Sequence, residues 1–261
     1  MAITFGKLET QITVPTGGWT ATISGNTATI AAGTYYMSSV GNQAADFLAT
    51  VQTAFDTAGD ISGATVCTVT ASHSENGTGI CTIAFTVAKS ITWVSTDLRD
   101  ILGFTGNLGS GTSHVATQSC RGIWLPTCPF NQLNSGSSWQ GWLESDYRGA
   151  ENAAGYVFNL MGQYKTVNAL EWPAITQAKT WNASETTENQ SFEQFLLDGI
   201  WGTAAWGTPG GPVRFYPDAA TDGTYVTYKI PDIKEFKPER FASDLTTMYR
   251  ISLPRLVKVP S

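Results

Sequence analysis

The chain has 261 residues, enough for one large domain or two of ordinary size with a substantial core. Its net charge of −6 argues against a general nucleic-acid binder, which needs a basic footprint, so no direct nucleic-acid partner is expected. Charged residues are only 14%, against roughly 25% in ordinary soluble domains, so Thr, Ser, Asn, Gln and Gly must cover the surface, together with nine Trp and nine Tyr. Scarce charge with abundant aromatics is the composition of interface cores. It points to a subunit of a larger assembly rather than a monomer with a neutral surface.

The first strong signal in chain order is a hairpin. Trp19 to Ser24 alternates, Gly25-Asn26 forms the expected two-residue turn, and Thr27 to Ile30 returns. A helix follows, with Asn42 as its expected cap. Ala44, Phe47, Leu48, Val51 and Phe55 form one apolar stripe, and Gly59 ends the helix. Ala64 to Ser72 and Ile80 to Ala88 read as a second hairpin, and Ile91 to Val94 as a separate strand. Ser95 is placed to cap a short helix from Thr96 to Leu102, closed by Gly103. Residues 104–118 are rich in Gly, Ser and Thr and read as a loop or hinge. The expected first domain, residues 1–118, is therefore α+β in the order β-β-α-β-β-β, an antiparallel sheet with one packed helix.

Residues 119–261 read as a β-rich domain with one short helix, closing as a β-sandwich or barrel-like unit. Arg121 to Asn134 is a Pro-containing loop anchored by Trp124. Gly155 to Leu160, Tyr164 to Trp172 and Ala174 to Trp181 are expected strands. Asn189 is the expected cap of a helix carrying Phe192, Phe195 and Leu196. Trp206 to Pro212 cannot be regular structure, given its prolines and glycines. Val213 to Tyr216, Thr224 to Ile230 and Thr246 to Leu253 complete the strands, with Tyr249, Ile251 and Leu253 on one face.

No apolar run reaches the roughly 18 residues of a membrane span, so no membrane partner is expected. Met1 to Lys7 lacks the pattern of a signal peptide, so synthesis and retention in a cytoplasm are expected. Cys67 and Cys81 fall in neighbouring apolar strands, and Cys120 and Cys128 flank a Trp-Pro loop. Neither pair has zinc-ligand spacing, so four buried free thiols are expected.

The chain carries no GxSxG, GxxxxGK[ST], HExxH or CxxC motif, so no catalytic, cofactor-binding or metal residues are assigned. Gly207 to Gly211 resembles an anion cradle only loosely, since no P-loop lysine follows, and reads as a plain turn. Glu188 with Glu193, or Glu144 with Asp146, would be needed for a paired-carboxylate hydrolase; capping and solvation explain them more simply. Trp139 and Trp142, in a Ser/Gly/Gln-rich segment, fit either a glycan platform or a core or subunit interface. Trp124 and Trp206 join them as expected interface or glycan contacts.

Thr96 to Leu108, TDLRDILGFTGNL, resembles a segment of structural proteins of viruses, tailed phages included. Further along, SFEQFLL (191–197), GGPVRFYPD (210–218), YVTYKIPD (225–232), EFKPER (235–240) and YRISL (249–253) together resemble the C-terminal half of minor tail proteins of long-tailed bacteriophages. The resemblance covers about half the chain in discontinuous pieces and carries over no catalytic residue. It implies a virion location and an assembly role; the preferred expectation is a non-enzymatic protein at the tail or tail tip, packed as a ring or adaptor. Its partners would be copies of itself and other virion proteins. A head decoration or head–tail connector protein is the first alternative. A carbohydrate-binding receptor module or glycan hydrolase acting on a host surface glycan is the second.

Overall fold

The computed structural model describes residues 7–37, 46–59, 67–71, 79–125, 138–145, 148–151, 157–160, 164–176, 191–216, 225–230, 239–240 and 248–259. The chain is mostly β, with antiparallel sheets and few helices. In order, its first elements are β1 (Lys7–Val14), β2 (Trp19–Ile23), β3 (Asn26–Ile30), β4 (Gly33–Tyr36) and α1 (Phe47–Gly59). Next come β5 (Cys67–Ala71), β6 (Ile80–Trp93), α2 (Thr96–Ile101), β7 (Leu108–Ser119) and β8 (Ile123–Trp124). The later strands are β9 (Ser138–Ser145), β10 (Arg148–Glu151), β11 (Val157–Leu160) and β12 (Tyr164–Thr176). Helix α3 (Phe192–Phe195) runs into a π-helical turn, Leu196–Ile200, and precedes β13 (Val213–Tyr216), β14 (Val226–Lys229), β15 (Glu239–Arg240) and β16 (Met248–Lys258).

A five-stranded sheet is built around β6. One edge of β6 pairs with β7 along most of its length; the other pairs with β5 and, further along, with β2, which carries β3 beyond it. Alternation puts Ala21, Ile23, Val69, Ile83 and Ile91 on one face. Helix α1 covers that face with the expected stripe, Phe47, Leu48, Val51 and Phe55, all buried. Aromatic contacts lock the layer: Trp19 meets Phe47 edge-on at 5.9 Å, and Trp93 packs tilted on Phe104 at 5.3 Å.

The second sheet has nine strands. Its path runs β4-β1-β13-β14-β16-β12-β9, with β8 and β15 attached to β1 and β16. Among the described residues this path ends at β4 and β9 without closing, so it is an open sheet and not a barrel. Leu170, Trp172, Phe215, Ile251 and Leu253 form its apolar face, packed against α3 and the π-helical turn.

Strand β1 serves both cores. Leu8 lies in the nine-stranded sheet's core, whereas Ile12 and Val14 lie in the core shared with the five-stranded sheet. Residues 7–10 pair with β13 and residues 11–14 with β4. Their other hydrogen bonds go to neighbouring segments: Thr10 donates to the Gly122 carbonyl and Thr13 to the Trp206 carbonyl, both at 2.9 Å. The N-terminal strand thus crosses the expected boundary near residue 118.

Several local expectations change. The first hairpin turns at Ser24-Gly25, one residue earlier than expected, with φ of 46° and 97°. Ser24 holds its unusual conformation by exchanging hydrogen bonds with Ser90: its amide donates to the Ser90 carbonyl, and its Oγ accepts from the Ser90 amide. Residues 80–93 form one long strand rather than two, and the expected 104–118 loop is largely strand β7. The two expected strands around Pro173 are also one. Pro173 and Pro254 each fall at a register shift between β12 and β16, where the ladder needs no donor. Ser95 precedes α2 as expected, but its Oγ accepts the Thr20 amide instead of capping the helix. The α3 cap is Ser191, whose side chain accepts from the Gln194 amide; Asn42 and Asn189 lie outside the described residues.

Cys67, Cys81 and Cys120 are buried and free, and Cys128 lies outside the described residues. Burial, aided by the Asp56 charge, pushes the Cys67 thiol up to about 12. A hydrogen bond with Cys120, and then burial, raise Cys81 well above the usual thiol range. Little Cys67 or Cys81 thiolate exists at neutral pH, so these two thiols should resist aromatic disulfide reagents in the folded chain. Titration in denaturant without reductant should then count all four cysteines; a count of two or zero would show oxidation.

Candidate functional site

Two surfaces of opposite character stand out, one a buried charge cluster and the other a charge-poor sheet face. The first is built by alternation on β1. Lys7 and Glu9 occupy the face opposite Leu8, and both side chains are fully buried. Lys7 Nζ approaches Glu9 Oε1 at 3.2 Å, as an ion pair without good hydrogen-bond alignment. The Tyr216 hydroxyl donates to Glu9 Oε2 at 3.1 Å, and the Lys7 ammonium sits 4.3 Å from the Tyr216 ring centre.

Arg214, opposite Glu9 on β13, extends the cluster. Its guanidinium stacks against the rings of Tyr36 and Tyr225, at 3.8 and 4.2 Å, and reaches Asp46 at 4.0 Å. Burial pushes the Glu9 carboxyl above its ordinary range, although Lys7, Tyr216 and Arg214 pull it down. Two cations thus meet two carboxylates. Both members of the Lys7–Glu9 pair lie on β1, so the contacts that tie the cluster to β13 are the Tyr216 hydroxyl on Glu9 and Arg214 opposite it.

A third buried carboxylate, Asp198, lies within the π-helical turn. Gln194 Nε2 donates to it at 2.8 Å and Arg121 approaches at 3.4 Å; burial raises its affinity for a proton. The nearby Gly207–Gly211 turn offers no anion cradle through its glycine amides. Gly207 donates to the Ala204 carbonyl, Gly210 to Ile200 and Gly211 to Thr208.

The four singled-out tryptophans separate. Trp124 is wholly buried, with its ring edge-on to Trp172 at 4.8 Å and to Phe192 at 4.9 Å. Trp206 is buried in the other core. The 206–212 tract is irregular as expected, but it and β8 fold inward onto β1, so neither tryptophan is exposed. Trp139 and Trp142 occupy positions on β9 opposite Leu170 and Val167. Asp146 and Glu188 lie outside the described residues, so neither candidate carboxylate pair is brought together among the described residues.

The second surface is the solvent face of the five-stranded sheet. Its cross-strand rows are mostly threonine. Thr22 lies between Thr27 and Thr92, and Thr20 opposes Thr29. Thr82 lies between Thr70 and Val115, and Ala84 between Thr68 and Ser113. Val115 is 59% exposed. Lys89, at a register shift, is the one Lys, Arg, Asp or Glu in the five strands.

No family model, curated protein or solved structure matches the chain. The site geometry is therefore read from its own residues. No helix among the described residues is long and apolar enough to cross a membrane.

The buried pair has a measurable consequence. Lys7→Met leaves Glu9 without its ammonium and should cost about 3–5 kcal/mol of unfolding free energy, the usual effect of breaking a buried ion pair. Replacing both, as Lys7→Met with Glu9→Gln, should recover most of that loss. Urea denaturation of Lys7→Met, Glu9→Gln, the double variant and the parent closes the cycle. Strictly additive losses would show that the two side chains do not act as a pair.

Proposed function

We propose that this chain is a structural protein of a tailed-bacteriophage virion, at the tail or tail tip, and that it acts by assembly and not by catalysis. The observation that carries the reading is the charge-poor solvent face of the five-stranded sheet. A solvated monomer surface normally mixes both signs of charge. Here five strands hold a single charged residue and present rows of hydroxyls and methyls to solvent. A face of that kind suits contact with protein in a particle, where charge would have to be desolvated. The charged groups that are buried hold the fold together instead of facing a cleft.

The resemblance of the 191–253 segments to minor tail proteins supports a virion role, and the tail or tail tip is the place within the particle that this reading prefers. Within that half, GGPVRFYPD contains β13, and YRISL lies within β16. These strands build the nine-stranded sheet. In this reading the nine-stranded sheet is the body of the subunit and the five-stranded sheet presents its contact face.

The test is a protein inventory of purified virions together with mapped density of the intact particle. The chain is expected in the particle, in density at the tail or its tip. Absence at a detection limit below a few copies would end the proposal. Density confined to the head would replace the tail assignment with a decoration or connector role.

A further inference from the structure

Resting on the assembly reading, we infer that the threonine face of the five-stranded sheet is a self-complementary contact through which two copies of this chain meet. Three properties of the face select a second copy as its occupant. The first is electrostatic. Two chains of net charge −6 repel each other, and the repulsion is smallest where both present a surface nearly without charge, here with Lys89 alone in the five strands. Among the described residues, the outward rows of this sheet provide such a surface.

The second is hydrogen-bonding chemistry. A two-fold contact places a patch against itself, so the patch must satisfy its own polar groups. Carboxylates alone or ammonium groups alone cannot do this. A threonine hydroxyl is both donor and acceptor, so a row such as Thr27–Thr22–Thr92 can pair with its own copy. Between the hydroxyls, the threonine methyls and exposed Val115 supply apolar area, as in face-to-face sheet packing.

The third is size. Strand residues occupy about 3.4 Å along the chain and about 4.8 Å across it, so the five strands present on the order of 700 Å². A standard interface takes about 800 Å² from each partner. The face is thus large enough for a specific dimer without recruiting the other sheet.

The experiment is sedimentation velocity of the full chain over a wide concentration range. Thr70→Lys and Thr92→Lys, both at exposed strand positions, are combined in one variant, and the matching Thr→Glu changes in another. Near-UV circular dichroism and melting temperature confirm that each variant folds. The parent is expected to dimerise, and each variant alone to lose at least tenfold in affinity. An equimolar mixture of the Lys and Glu variants is expected to regain association. A monomeric parent at every concentration overturns the inference, as does dimerisation indifferent to the substitutions. A monomeric parent that binds a polysaccharide through this face overturns it in favour of a glycan occupant. The outcome is separable from that of the virion inventory. A monomer found in virions sinks only the self-contact, whereas a dimer absent from virions sinks only the virion role.

Discussion

Strand β1 has to satisfy two cores at once, and the rest of the fold depends on how it does so. Its first half places Leu8 under the nine-stranded sheet, and its second half places Ile12 and Val14 against the five-stranded sheet. The same eight residues put Lys7 and Glu9 on the opposite face, where water is excluded. A register slip of one residue would exchange the two faces and set the charged pair in the apolar core. The ion pair, the Tyr216 hydroxyl and the stacked Arg214 therefore specify a register that hydrophobic packing alone would specify less sharply. Ion pairs of this kind contribute little net stability but make alternatives expensive.

That arrangement also explains where the chain's few charges go. Lys7, Glu9, Arg214, Asp46, Arg121 and Asp198 all sit in partly or fully buried pairs within or beside the nine-stranded sheet. The five-stranded sheet is left almost without charge and is covered by threonine instead. The composition that pointed to an assembly subunit is thus not uniform over the molecule. The nine-stranded sheet carries both buried pairs and the exposed Arg250–Glu171 pair, whereas the five strands of the other sheet hold only Lys89.

Much of the first sheet was legible in the sequence. The β2–β3 hairpin, the α1 stripe and the helix closed by Gly103 follow local rules that tertiary contacts reinforce. The buried face of β16 was equally clear from Tyr249, Ile251 and Leu253. Strand β1 was not legible, because Lys7 and Glu9 alternate with apolar residues and look like a solvated face. Only the partner residues on β13, some 200 positions away, reverse that reading. Strand β7 was hidden by its Gly, Ser and Thr content, which suits an edge of this neutral sheet as well as a loop. The prolines in β12 and β16 looked like strand ends because bulges cannot be seen from one strand alone. Trp124 and Trp206 looked like loop aromatics for the same reason: what buries them is distant in sequence.

The account's central claim is that β1 couples the two cores into one cooperative unit. Native-state hydrogen exchange measures this residue by residue. The Thr10 and Thr13 amides, bonded to Gly122 and Trp206, are the informative probes on β1. They should open with the same free energy as the Val51 amide in α1 and the Ile251 amide in β16, because releasing β1 exposes both cores. Exchange of Thr10 and Thr13 through a much smaller local opening, with α1 and β16 still protected, would contradict the claim.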